Sequence, residues 1–276
     1  MGVRRKCAVR RMEYESEEMC KRFEPLAEKV ASVFPETQPD RRELSELTGQ
    51  LLQFMEDHLG RESINPPFPK LPSLLFRNLS PTGPLFLILT LTLEYKKMKG
   101  WQRLDFLTSS DKEEVFELFQ YLREELSRKK LLKFPKCYLQ PDIDYVDVAD
   151  LKEKAEKLGF TIAKTPEEKG VTHVILRDID AVKEENTFNS EYCRTLEIQG
   201  NKALVHWWYW PDSYDEWIPV DNISGDPEAD EEPPSGAWTV YSRWIRDSAR
   251  FNEVMNPIDY MPEEENPEGA AKPAEE

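Results

Sequence analysis

The residues able to do chemistry are few and scattered. The three histidines, His58, His173 and His206, stand far apart, with no HExxH spacing and no cysteine partner close in sequence, so the pattern supports no metal site. The four cysteines, Cys7, Cys20, Cys137 and Cys193, form no CxxC pair; they read as reduced intracellular thiols. There is no glycine-rich phosphate loop of the GxGxxG or GxxxxGK[ST] kind and no GxSxG elbow, and these are the arrangements that cradle phosphates or expose a nucleophile. Carboxylates are too abundant for any pair to stand out as an acid–base couple. The expectation is a binding protein without a catalytic, metal or cofactor site.

The residues that do cluster are aromatic. Leu204 to Pro219 reads LVHWWYWPDSYDEWIP, an apolar strand pattern with four tryptophans and two tyrosines in sixteen positions. Aromatics dominate both cores and interfaces. Trp208, Tyr209 and Tyr214 are the candidate partner surface, because Trp and Tyr are enriched where binding energy concentrates.

Elements able to hold such a cluster are legible around it. Arg41–His58 carries Leu44, Leu47, Leu51, Leu52, Phe54 and Met55 at helical spacing, stopped at Gly60. Leu71–Asn78 predicts a short helix, and Pro84–Lys99 a very apolar helix whose last turn holds Lys96, Lys97 and Lys99, cations that suit its carboxyl end. Trp101–Phe106 alternates like a strand, and Asp111–Lys130 carries one apolar stripe from Val115 to Leu126. A strand over Leu131–Leu139 would complete a winged-helix order. From Cys137 the pattern changes to strand, helix (Val146–Leu158), strand (Phe160–Lys164) and strand (Val171–Leu176), a small parallel α/β sheet. Thr195–Ile198 and Ala203–Tyr209 predict strands joined by the Gln199-Gly200-Asn201 turn. Trp238–Ser242 predicts a last strand, and Arg243–Glu253 a last helix.

Composition bounds the partners. The chain has 276 residues, 39% hydrophobic and 11% aromatic, enough for real cores. Fifty-three acidic against 37 basic residues give a formal charge of −16, which repels nucleic-acid backbones and suits basic partners such as histones. The longest apolar run, Pro84–Leu93, is about ten residues where a span needs ~20, so no membrane residence is expected. Met1–Arg11 holds five basic residues and no acid; it reads as a nuclear-import signal or as a solvated basic tail.

Three resemblances organise these pieces. Val205–Trp217 resembles the signature of chromodomains and chromo-barrels. That resemblance implies an aromatic cage for methyl-lysine with Trp207 and Trp210 at two walls, Tyr192 or Phe188 at the third, and Trp217 packing the fold; cation–π attraction would hold the ligand. Trp238–Ser248 and Asn256–Tyr260 resemble the last strand and helix of a BRCT domain, with Trp244 as the structural core tryptophan. Where phosphopeptide-binding BRCTs offer a Ser or Thr and a Gly, this chain has Pro141-Asp142-Ile143-Asp144, carboxylates that repel a phosphate. With LLQFMEDHLG at 51–60, NPPFPKLPSLLF at 65–76, GWQRLDF at 100–106 and YLQPDID at 138–144, the chain resembles the N-terminal module of the Moira/SMARCC scaffold subunits of SWI/SNF-type chromatin remodellers, over about Arg41 to Met261.

The resemblance implies an α+β multidomain chain: a winged-helix, MarR-like domain followed by a BRCT-like α/β domain with an inserted chromo-like β-barrel. The boundaries expected are a basic flexible tail at 1–20, the MarR-like domain at 21–136, the first BRCT-like part at 137–185, the chromo-like insert at 186–223, an acidic Pro-rich loop at 224–236, the second BRCT-like part at 237–262 and a disordered acidic tail at 263–276. The implied function is a non-catalytic, nuclear scaffold in transcription regulation, with chromatin-remodelling subunits and histones as partners. The alternatives are a histone methyl-lysine reader and a winged-helix DNA binder. DNA reading is not expected, because half of Leu85–Met98, the helix at the recognition position, is Leu, Ile and Phe, with basic residues only at its end. The family continues into SWIRM, SANT and coiled-coil regions that this chain lacks, so a monomer is expected.

Overall fold

The computed structural model describes residues 14–60, 63–72, 74–102, 106, 112–178, 192–208, 214–222 and 236–262. They fall into two units, Met1–Phe134 with Phe188–Asp230 and Arg250–Val254, and Pro135–Thr187 with Glu231–Ala249 and Met255–Glu276. The architecture is mixed α+β, with two sheets and several helices.

The first unit begins with α1 (Glu17–Arg22) and α2 (Glu24–Val33). Ser16 caps α1 by accepting from the Met19 N–H, and Cys20 is wholly buried, inside the stretch read as a basic tail. Helix α3 (Arg41–Leu59) starts on a reciprocal capping box: the Asp40 carboxylate accepts from the Glu43 N–H at 2.8 Å and Glu43 accepts from the Asp40 N–H at 2.9 Å. Two of the amide groups orphaned at a helix start are thereby satisfied. Its stripe Leu44, Leu47, Leu51 and Phe54 enters the core, each side chain contributing roughly 1.5–3 kcal/mol by burial.

After the short α4 (Leu74–Arg77) comes α5 (Pro84–Lys99), which enters on a proline in its first turn and leaves at Gly100. Gly100 has φ +70°, the left-handed region, and its N–H closes on the Lys96 and Lys97 carbonyls. Buried residues lie on all sides of α5, from Leu85 and Ile88 to Leu91 and Tyr95. Its buried threonines are satisfied internally, Thr90 donating to the Phe86 and Leu87 carbonyls and Thr92 to Ile88. Helix α6 (Lys112–Arg128) buries Val115, Leu118, Phe119, Leu122 and Leu126, and Phe119 stacks on Phe54 at 5.5 Å and 9°.

The expected strand at Trp101–Phe106 is not formed by its described members Trp101, Gln102 and Phe106. Their apolar side chains pack on helices instead: Trp101 meets Tyr95 edge-on at 5.5 Å and donates to Glu114 at 2.7 Å. Alternation allows a strand, but backbone groups need a ladder partner to keep one. The strand expected over Leu131–Leu139 is confined to Lys136–Leu139 and belongs to the second unit. Among the described residues up to Phe134 there is no strand.

The second unit is a four-stranded parallel sheet of order β2-β1-β3-β7, built from β1 (Lys136–Leu139), β2 (Thr161–Ala163), β3 (His173–Leu176) and β7 (Trp238–Tyr241). Helix α7 (Tyr145–Lys157) crosses from β1 to β2, burying Leu151 and Ala155. Strand β7 is followed by α8 (Arg243–Phe251). Cys137, Ile175 and Val240 are wholly buried, as expected of a parallel sheet covered on its faces. Strands β3 and β7 are neighbours in the sheet, so the residues between them form an excursion, and that excursion carries the second, antiparallel sheet.

Candidate functional site

The aromatic cluster falls on a three-stranded antiparallel sheet, β4 (Tyr192–Gln199), β5 (Lys202–Trp208) and β6 (Tyr214–Pro219). Gly200, at φ +58°, turns β4 into β5, a conformation glycine adopts at little cost. The register pairs Tyr192 with Trp208, Cys193 with Trp207, Trp207 with Tyr214 and Leu204 with Trp217, with an irregularity between Thr195 and Glu197. Paired positions share a face and successive positions alternate. Positions 207 and 214 therefore lie on one face, and positions 192, 208 and 217 on the other.

Of the residues that the sequence singled out, Trp210, Tyr209 and Phe188 lie outside the described residues. The side chains of Tyr192, Trp207, Trp208 and Tyr214 lie outside them as well, so only their backbone positions are placed. Ala203, Leu204 and Val205 are buried and Trp217 is half-buried. The same-face partner that the register gives Trp207 across β6 is Tyr214, a tyrosine the sequence assigned to a separate contact surface.

In the α/β unit, Trp244 is wholly buried between Phe160, at 5.3 Å, and His173, at 4.2 Å. Its indole N–H donates to the Met255 carbonyl at 2.8 Å. Asp178, just past β3, caps α8 by accepting from the Arg243 N–H at 2.8 Å, and its other oxygen accepts from Arg246. Arg246 also meets Asp147 at 3.0 Å and Asp150 at 3.7 Å, and donates to the Ser242 hydroxyl at 2.8 Å. Its charge is spent on its own carboxylates. The loop after β1 presents Asp142 and Asp144 exposed, with Asp144 at 3.8 Å from Arg177. The exposed carboxylates of that loop are of the same sign as a phosphate and oppose one there.

Burial pushes the His173 imidazole down to about 4 and the Cys137 thiol up to about 12. At neutral pH the imidazole is therefore uncharged and the thiol protonated. Among the described residues no group of three or more His, Cys, Asp or Glu is arranged to hold a metal ion, and no helix is long and apolar enough to cross a membrane. The sequence reading missed Arg123, which lies over both the Phe68 and Phe134 rings; no local pattern links residues so far apart in the chain.

Residues 4–132, a little under half of the chain, match the family model described as the SWIRM-associated domain at the N-terminal. The protein thus carries a SWIRM-associated domain, which links it to the SWIRM proteins of chromatin and to a non-catalytic, protein-interaction role.

Proposed function

We propose that this chain is a scaffold module of a SWI/SNF-type chromatin-remodelling complex, acting in transcription regulation in the nucleus. The match of residues 4–132 to the SWIRM-associated domain carries the reading. On it, the helical unit is a MarR-like winged-helix relative used for packing. The parallel unit is BRCT-like and the antiparallel sheet is a chromo-like insert. Three features of the molecule support that assignment. The parallel sheet runs β2-β1-β3-β7 with a tryptophan-anchored helix after its last strand. The antiparallel sheet is carried between β3 and β7. Helix α5, at the recognition position, buries Leu85, Ile88, Leu89, Leu91 and Tyr95 and keeps Lys96, Lys97 and Lys99 only in its last turn, which leaves little cationic surface for a phosphate backbone.

A fold of this kind acts by presenting fixed surfaces to remodelling subunits, and its charge of −16 suits basic partners, histones among them. The test is affinity purification of the tagged chain from nuclear extract, with mass spectrometry of the bound proteins. A remodelling ATPase with its core subunits is expected. Histones recovered without a remodeller would overturn the scaffold reading in favour of a histone reader.

A further inference from the structure

One groove of about 840 Å³ lies wholly on the helical unit, along α6. Its floor is aromatic: Phe68, Phe116 and Phe134. Phe116 meets Phe68 edge-on at 6.1 Å and 87°. The Arg123 guanidinium sits 5.4 Å from the Phe68 ring and 5.2 Å from the Phe134 ring, and it donates to the Pro69 carbonyl at 2.8 Å. These contacts hold the rings in place, yet Phe134 remains 36% exposed. Ile64, beside Asn65 on the groove's lip, is 92% exposed. A fixed, open aromatic floor has already met the ordering cost that a flexible one would meet on binding.

The rim sets the charge of what can lie there. Glu113, Glu117, Gln120, Glu124 and Ser127 line the groove at helical spacing along α6, a stripe running roughly 21 Å at 1.5 Å per residue. Glu117 is already engaged by Lys99, at 2.7 Å, and by the Tyr95 hydroxyl, at 3.2 Å. Glu113 and Glu124 are exposed carboxylates. Arg123, the one cation lining the groove among the described residues, lies against two rings and has one N–H on a carbonyl.

We propose that this groove docks a basic segment of a partner protein, one or two large apolar side chains seated on the Phe68–Phe116–Phe134 floor and flanking Lys or Arg paired with Glu113 and Glu124. This deepens the interaction-module reading by naming a surface and the chemistry of its partner, and it rests on that reading. Anchors in a pocket supply most of the affinity, while rim charges set selectivity and the rate of encounter.

The test is fluorescence anisotropy with the full chain and a fluorescein-labelled peptide, Gly-Lys-Arg-Leu-Phe-Arg-Lys-Gly. Saturable binding is expected. Glu113→Lys with Glu124→Lys should weaken it about tenfold, in line with two exposed ion pairs lost. Replacing Leu-Phe in the peptide by Ala-Ala should weaken it at least as much. Glu156→Lys with Glu167→Lys, exposed positions in the α/β unit, should leave it unchanged. All four positions are exposed, and circular dichroism checks that each variant is folded. Absence of saturable binding overturns the proposal. So does equal weakening by both charge variants, which would mean attraction to net charge alone, or equal binding of the peptide with Glu for Lys and Arg, which would make Arg123 an anion site. The measurement needs no other subunit, so its failure leaves recovery of a remodeller from extract untouched.

Discussion

The imidazole of His173, on β3, lies flat on the indole of Trp244, on α8, with ring centroids 4.2 Å apart and planes within 10°. Phe160 closes the other side of the indole at 5.3 Å and 17°. The stack joins a strand, a helix and the turn before β2 within the α/β unit. Trp244→Ala should cost about 3–5 kcal/mol, the range for emptying a large aromatic site. Trp244→Phe keeps the stack but removes the indole N–H that donates to the Met255 carbonyl, and should cost about 1–3 kcal/mol. Denaturant unfolding followed by circular dichroism measures both. A loss below about 1 kcal/mol for Trp244→Ala would show that the stack does not anchor the unit.

His173 also makes stability depend on pH. Its Nδ1 is 2.9 Å from the Thr172 hydroxyl, and its Nε2 is buried without a hydrogen-bond partner. Burial holds its folded value near 4, against 6.5 for a free imidazole. Below pH 6.5 the unfolded chain takes up a proton that the folded one refuses, so stability present above pH 6.5 is lost as pH falls toward 4. The full loss is about 3 kcal/mol at 1.36 kcal/mol per pH unit. His58, also depressed by burial, adds in the same direction. His173→Phe keeps an aromatic ring and removes the titration. The midpoint of unfolding should then change less between pH 7.5 and 5 than in the parent. Identical slopes in the two proteins would remove His173 as the cause.

Two thiols should be silent. Cys137 is wholly buried and pushed up to about 12, and Cys20 is wholly buried with its thiol toward the Tyr14 carbonyl at 3.7 Å. The thiolate is the reactive species. Iodoacetamide at pH 8 should label neither in the native protein and both in guanidinium, read by peptide mass mapping. Native labelling of Cys137 at the unfolded rate would contradict its burial.

How far these features are legible in the sequence differs by element. Helix α3 is written in full, from Asp40 and Glu43 at the cap to the stripe Leu44–Met55, and α5 is bounded as read by Pro84 and Gly100. Strand β6 was visible only as an aromatic motif, because Tyr214–Pro219 is set as a strand by its pairing with β5. The register that gives Trp207 and Tyr214 a common face is likewise a property of the pairing. Arg123 and Phe134 lie eleven residues apart and Phe68 another fifty-five away; nothing local announces that they meet. The alternation at Trp101–Phe106 pointed to a strand, where Trp101 and Phe106 instead pack ring to ring at 6.4 Å.

Lys70 is buried between two carboxylates. Its Nζ lies 3.2 Å from Glu56 and 3.0 Å from Glu253, and the three side chains are only 3%, 6% and 8% exposed. Its backbone N–H donates to the Asn252 carbonyl at 2.8 Å, while the Asn252 side chain donates to the Leu59 and Phe68 carbonyls, each at 2.9 Å. Asn252 has φ +51°, a left-handed conformation that asparagine tolerates better than most residues. The Lys70 ammonium, the Lys70 backbone N–H and the Asn252 side-chain amide thus tie the segment 250–254 to the rest of its unit. Lys70→Met removes the ammonium that lies between the buried Glu56 and Glu253 carboxylates and should cost about 3–5 kcal/mol. Adding Glu56→Gln and Glu253→Gln neutralises those carboxylates and should recover a large part of the loss. The parent's stability should change little between 0.05 and 0.5 M salt through this triad, since buried pairs are poorly screened. Urea titrations of the three proteins decide it. If Lys70→Met lost under 1 kcal/mol, or if the triple variant were no better, the ammonium would not be what holds the segment.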